Sequence, residues 1–232
     1  MKKLMCAVAA MAAGVAMADA GISSDIVGYM SNDMAGKVYN CVSFGFASVG
    51  NDKVFVMKDI NADVFDDGGD ILQFLEPVMA RTAKTFFNYN GDWYENTSDW
   101  NDANEDQFDM ATGFLGNFIS KKVKLTAAGA VLSGPTALDY TGKCYNMVGN
   151  PLPRAVKFKE IEAVSFDDGG DILQKLEPTM ARTIKTYFAY NGDWYEDTSD
   201  WNDASEDEMA AGEAMLGNFI SKSVKLTFPG AL

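Results

Sequence analysis

The sequence predicts an all-β protein made of two tandem, pseudo-symmetric units, each a sandwich or a small barrel. Three observations predict it. Residues 65–126 align without a gap to residues 166–227 at a constant offset of 101, with 46 of 62 positions identical, and self-similarity of this kind marks a duplicated structural unit. Asn90-Gly91 and Asn191-Gly192 each separate two aromatic-rich segments. Asn-Gly accepts positive φ at both central positions of a type I′ turn, so it predicts a hairpin. Lys122-Val-Lys-Leu-Thr126 alternates charged and apolar residues with period two, which turns Val123 and Leu125 inward on a strand. No long amphipathic helical period occurs after residue 20.

The chain begins with a targeting pattern. Lys2 and Lys3 precede an apolar run from Leu4 to Val15, followed by the small-x-small sites Ala16-Met17-Ala18 and Ala18-Asp19-Ala20. This is the pattern of a secretory signal peptide over residues 1–20. The run is shorter than the ~20 residues a spanning helix needs, and Cys6 lies too early in it for lipoprotein cleavage. The mature chain is expected to begin at Asp19 or Gly21, with no transmembrane segment after it. Cutting after Ala20 leaves a formal charge of −15.

Upstream of the identical block the match is looser. Gly36-Lys37-Val38-Tyr39-Asn40-Cys41-Val42 corresponds to Gly142-Lys143-Cys144-Tyr145-Asn146-Met147-Val148 at an offset of 106, so the first copy carries five extra residues between Phe46 and Val54. Unit one is expected to span 21–130 and unit two 131–232, each of ordinary domain size. The small, Gly-containing segment from Thr126 to Pro135 reads as a linker.

Within unit one, Val38 to Phe46, Val54 to Ile60 and Phe114 to Ile119 are strand candidates. Ile71 to Glu76 is a strand or one helical turn, ended by Pro77. Lys84–Glu95 and Lys185–Glu196 are expected to form matching hairpins. Trp93 and Tyr94 then point to opposite faces, so at most one of them is core, and Trp93 and Trp194 are the expected core members. Phe86 and Asn88 become Tyr187 and Ala189 in the second copy, and the face that varies is expected to be the wet one. Gln107 to Phe114 differs most from its counterpart, Glu208 to Met215.

The segment Lys143-Cys-Tyr-Asn-Met-Val-Gly-Asn-Pro-Leu-Pro153 resembles the aromatic-Asn-x-Val-Gly-Asn-Pro strand of many uncharacterised secreted bacterial tandem-repeat β proteins. The resemblance extends over most of each copy, through a Gly-Asp-x-hydrophobic segment, an aromatic hairpin and a final Val-x-Leu strand. The first copy departs from it, with Ser43-Phe-Gly-Phe46 in place of Gly149-Asn-Pro-Leu152. The likeness implies an exported envelope or cell-surface β-module and brings no activity or catalytic residues with it.

Composition narrows function. With 19 Lys plus Arg against 33 Asp plus Glu, the formal charge is −14. This disfavours nucleic acid and anionic membrane surfaces, which need clustered cations. The sequence contains no histidine, which removes His triads and His-metal sites. It also lacks a Gly-x-Ser-x-Gly elbow, a phosphate loop and a Cys-x-x-Cys pair. Cys41 and Cys144 are an even pair in an exported chain and permit one disulfide, the alternative being two buried thiols.

Two repeated constellations remain. Asp66-Asp67-Gly68-Gly69-Asp70 recurs as Asp167-Asp168-Gly169-Gly170-Asp171. Carboxylates around glycines suit Ca²⁺, although an acidic turn with φ > 0 glycines has the same composition. Trp93, Tyr94 and Trp100, with Trp194, Tyr195 and Trp201, lie beside Asp99–Asp106 and Asp200–Asp207. Indole and phenol faces stack on pyranose rings while carboxylates accept sugar hydroxyls, though aromatic residues also anchor small β cores. The expected function is a non-catalytic secreted or cell-envelope structural or adhesive module (periplasmic, cell-surface or extracellular). It would meet envelope or extracellular protein or glycan, with self-association among the options. The alternative is a glycan-binding module, assisted by Ca²⁺.

Overall fold

The computed structural model describes residues 27–49, 54–63, 65, 69–76, 81–120, 122–167, 170–177 and 183–231. The chain is almost entirely antiparallel β. The first copy supplies β1 (Val27–Ala35), β2 (Val38–Ser43), β3 (Val54–Val56), β4 (Ile60–Asp63), β5 (Ile71–Glu76), β6 (Arg81–Tyr89), β7 (Asp92–Glu95), β8 (Asn101–Asp102), β9 (Gln107–Asp109), β10 (Gly113–Phe118) and β11 (Lys122–Ala130). The second supplies β12 (Thr136–Thr141), β13 (Cys144–Gly149), β14 (Val156–Lys157), β15 (Glu162–Val164), β16 (Ile172–Leu176), β17 (Thr183–Tyr190), β18 (Asp193–Glu196), β19 (Asn202–Asp203), β20 (Glu208–Met209), β21 (Ala214–Phe219) and β22 (Ser223–Phe228). The described helical residues are two 3-10 turns, Met57–Asp59 and Phe158–Glu160. No helix among the described residues is long and apolar enough to cross a membrane. The expected leader, residues 1–20, lies outside the described residues.

Strand order repeats element by element. A three-stranded sheet β1-β11-β4 and a six-stranded sheet β2-β10-β5-β6-β7-β8 recur as β12-β22-β15 and β13-β21-β16-β17-β18-β19, with small pairs β3-β9 and β14-β20. A bent ribbon joins the two larger sheets in each copy. Val27 to Ala35 pairs against Ala130 to Lys122, and Val38 to Ser43 continues against Phe118 to Gly113. The ribbon turns its corner at Gly36-Lys37, where Lys37 has φ +61, and at Lys143 with φ +57 in the second copy. Side chains turned inward from both sheets form the core. Val123 and Leu125 are fully buried, as the alternation predicts, together with Phe46, Phe86, Phe114 and Phe118.

The two copies touch through reciprocal main-chain bonds. The Ser43 N–H donates to the Gly212 carbonyl at 2.9 Å, and the Gly149 N–H donates to the Ala111 carbonyl at 2.7 Å. Ser43 is the counterpart of Gly149, and Ala111 of Gly212, so each copy gives the other the same bond, the arrangement of an isologous contact. Bridges between Val42 and Glu213 and between Thr112 and Val148 repeat the relation. Small residues permit this approach: a Cβ on Gly113 would stand 2.7 Å from the Ala214 Cβ and 2.9 Å from the Met147 Cβ.

Two expectations change and one open alternative is settled. The linker placed at 126–135 is strand up to Ala130, because β11 continues to the end of β1. Ile71 to Glu76 is a strand, β5. The varying face of the hairpin is the core face rather than the wet one, since Phe86 and Tyr187 are buried.

Candidate functional site

The Asn90-Gly91 turn has φ +56 and +96, and Asn191-Gly192 repeats it with +53 and +93. It closes a two-residue hairpin in which Phe87 faces Tyr94, Asn88 faces Trp93 and Tyr89 faces Asp92. Residues directly opposite in a ladder share a face. Trp93 therefore lies with Phe86 and Asn88 on the inner face, fully buried, with its indole N–H donating to the Ile60 carbonyl at 2.7 Å. Trp194 does the same to Ile161 at 2.8 Å. Phe87, Tyr89, Asp92 and Tyr94 share the outer face, and the pairing of Tyr94 with Asp102 on β8 adds another carboxylate to it.

The segment after β7 brings one more ring to this surface. The Asn96 N–H donates to the Thr85 carbonyl at 2.7 Å, the Thr97 N–H to the Glu95 carbonyl at 2.8 Å and the Trp100 N–H to the Thr97 carbonyl at 3.4 Å. The turn puts Trp100 at φ +49, and Trp201 adopts the same value. A left-handed conformation disfavours a bulky residue by roughly 1–2 kcal/mol. Here it sets the indole 5.0 Å from the Phe87 ring, 5.8 Å from Tyr89 and 6.2 Å from Tyr94. Trp201 stands 5.0 Å from Phe188, 5.6 Å from Tyr190 and 6.1 Å from Tyr195. Trp100 is 51% exposed and Trp201 50%, whereas Phe87 beneath is 4% exposed. Each outer face therefore carries a four-ring aromatic platform topped by an accessible indole. Tyr94 and Trp100 are expected from the sequence, whereas Phe87 and Tyr89 are additions. The two-residue turn pairs Phe87 with Tyr94 and is the signal that could have revealed them.

Polar groups surround the platform. The Asp102 carboxylate accepts the Asn104 N–H at 2.9 Å, and Asp92 accepts the Asn104 side-chain amide at 3.3 Å. In the second copy Asp203 accepts the Ser205 N–H at 2.8 Å. Hydrogen bonds from the Ser205 side chain and backbone hold the Asp203 carboxyl below the usual range. Asp106 is drawn away from this group by the Lys84 ammonium at 2.7 Å, and Asp207 by Lys185 at 2.7 Å.

The glycine-rich acidic turns have a visible architectural task. The buried Asp70 carboxylate accepts the N–H groups of Ile119 at 2.7 Å and Ser120 at 2.9 Å. Asp171 accepts those of Ile220 at 2.6 Å and Ser221 at 3.0 Å, and also the Asp167 N–H at 2.6 Å. These bonds clamp Asp70 and Asp171 onto the corner of the bent ribbon. Asp66, Asp67 and Asp168 lie outside the described residues. Among the described residues no three or more His, Cys, Asp or Glu side chains assemble as a metal-holding group.

The permitted disulfide is absent: Cys41 and Cys144 are both free thiols. They occupy non-equivalent positions. Cys41 lies midway along β2, where burial and the Glu213 charge push its thiol up to about 12. Cys144 opens β13, its thiol directed to the Thr141 carbonyl at 3.0 Å.

No family model matches the chain, and neither a curated protein nor a solved structure does.

Proposed function

We propose that this chain is a non-catalytic, exported adhesive module that holds glycan on two aromatic platforms, one in each copy. The observation that carries this reading is the half-exposed indole of Trp100, held in left-handed backbone over Phe87, Tyr89 and Tyr94, and repeated at Trp201. Flat rings with carboxylates at their margin match the apolar face and hydroxyl rim of a pyranose. A single shallow site of this kind binds in the millimolar to micromolar range, about 4–8 kcal/mol. Two sites in one chain then raise the affinity for a polymer through effective concentration. Export is supported by Lys2, Lys3, the apolar run and the small-x-small sites, and N-terminal sequencing should find Asp19 or Gly21 first.

The test is a polysaccharide pull-down with the parent and with Trp100→Ala/Trp201→Ala, alongside denaturant unfolding. Loss of binding with a stability change of about 1–2 kcal/mol supports the platform. A purely structural role is favoured by one observation, that Trp100 covers the nearly buried Phe87. No binding by the parent, with a loss of about 3–5 kcal/mol on substitution, would establish that role instead.

A further inference from the structure

We infer that the glycan these platforms take is cationic, a chain of free amino sugars rather than neutral or acidic ones. This rests on the platform reading above and sharpens it to a substrate class. The charge around the rings carries it. Tyr89 is paired with Asp92 and Tyr94 with Asp102, so two carboxylates share the aromatic face, and Asp99 directly precedes Trp100. In the second copy Asp193 and Asp203 pair with Tyr190 and Tyr195, and Asp200 precedes Trp201. Among the described residues none of these six carboxylates forms an ion pair with Lys or Arg. The lysines of the hairpins are engaged elsewhere: Lys84 with Asp106 and Glu95, and Lys185 with Asp207 and Glu196.

An exposed indole beside uncompensated carboxylates is a poor place for a uronic or sulfated sugar and a good one for an ammonium. A cation over an indole face is attracted by the ring quadrupole. A carboxylate on the same face adds a charge-assisted hydrogen bond to an ammonium stacked there. A neutral sugar gains the stacking and hydroxyl hydrogen bonds to the carboxylates but not the charge. The formal charge of −14 on the whole chain extends the preference beyond contact range and draws a polycation to the surface.

The experiment titrates the full mature protein with chitosan, chitin and cellulose oligomers of equal length, following tryptophan fluorescence in mildly acidic buffer. There the sugar amine is protonated. The expected result is at least tenfold tighter binding of the chitosan oligomer than of the other two. That preference should shrink as salt is raised and fall in Asp102→Asn/Asp203→Asn, which removes one of three carboxylates from each platform and keeps an acceptor for the Asn104 and Ser205 N–H groups. Trp100→Ala/Trp201→Ala should abolish binding of all three. Equal binding of the three oligomers, unchanged by the Asp→Asn pair, overturns the cationic preference and leaves the platform standing. Binding of none overturns both. Chitosan binding that survives the Trp→Ala pair is diffuse polyelectrolyte attraction and also overturns the inference.

Discussion

The two copies fill the same internal space in different ways. In the first, Phe44 follows β2 into an aromatic cluster, 5.7 Å from Phe55 and 6.1 Å from Phe114, with Phe108 5.1 Å from Phe114 and 5.7 Å from Phe86. In the second, the counterpart of Phe44 is Asn150, fully buried. Its amide donates to the carbonyls of Arg154 at 2.8 Å, Met209 at 3.1 Å and Ala210 at 3.0 Å, and its oxygen accepts the Leu152 N–H at 3.0 Å. Phe108 and Phe114 become Met209 and Met215, and Phe86 becomes Tyr187, whose hydroxyl donates to Asp207 at 2.9 Å. One strand scaffold thus tolerates either ring packing or a saturated hydrogen-bond hub, provided each is complete. Trp93 and Trp194, Asp70 and Asp171, and the two platforms are the same in both copies. The indole N–H groups of Trp93 and Trp194 bond main-chain carbonyls, Asp70 and Asp171 accept main-chain N–H groups, and the platform rings pack on one another.

Exchanging the two solutions should break the comparison most sharply. Phe44→Asn places an amide where the first copy offers rings. It removes buried apolar volume worth about 3–5 kcal/mol and adds an unpaired polar group worth about 1–3 kcal/mol. Denaturant unfolding should show its largest loss for this substitution. Asn150→Ala should come next, at about 2–4 kcal/mol, because it strands three carbonyls and the Leu152 N–H at once. The control is a place where the copies agree. Asp70→Asn weakens charge-assisted bonds to the Ile119 and Ser120 N–H groups and Asp171→Asn those to Ile220, Ser221 and Asp167, and each should cost about 1–2 kcal/mol by the same unfolding measurement. Markedly unequal losses would show that the copies differ at the ribbon corner as well.

The smallest effect concerns acid. Burial alone would raise the Asp207 carboxyl. Hydrogen bonds from Lys185 and Tyr187, with the charges of Lys185 and Lys175, outweigh it and hold the group below its ordinary value. A carboxyl lowered in the native state contributes stability above its unfolded value, about 3.9. It loses that contribution as pH falls through the native value. Asp207→Asn should therefore cost about 1 kcal/mol or less at neutral pH, since the pair is partly exposed. The difference from the parent should vanish along the acid limb of an unfolding series.

The hairpins, the inward Val123 and Leu125 and the burial of Trp93 and Trp194 were legible because each depends on local chemistry: an Asn-Gly turn, a period-two alternation, the opposition of neighbouring strand residues. The end of β11 was not. Ala127-Ala128-Gly129-Ala130 resembles a linker by composition, but its smallness answers a distant demand. A Cβ on Gly129 would lie 2.3 Å from the Ala47 carbonyl oxygen and 2.8 Å from the Phe46 Cβ. The inverted hairpin faces have a similar cause. Variation between copies ordinarily points to solvent, whereas the core changes here because whole sets of neighbours change together. Half of the candidate site, Tyr94 and Trp100 with their counterparts, was visible as residue types. Its assembly depended on a left-handed tryptophan that no local pattern announces.

The reciprocal bonds between the copies limit how far such a chain can grow. β2 and β13 are the terminal strands of their six-stranded sheets, and each meets the other copy at the same place by the same kind of bond. A head-to-tail contact could repeat without end and build a fibre, but a self-complementary one is used up by a single partner. A third unit appended to this chain would find both mating surfaces occupied. Through this contact two copies satisfy one another, and a further copy would have to meet them by a different surface.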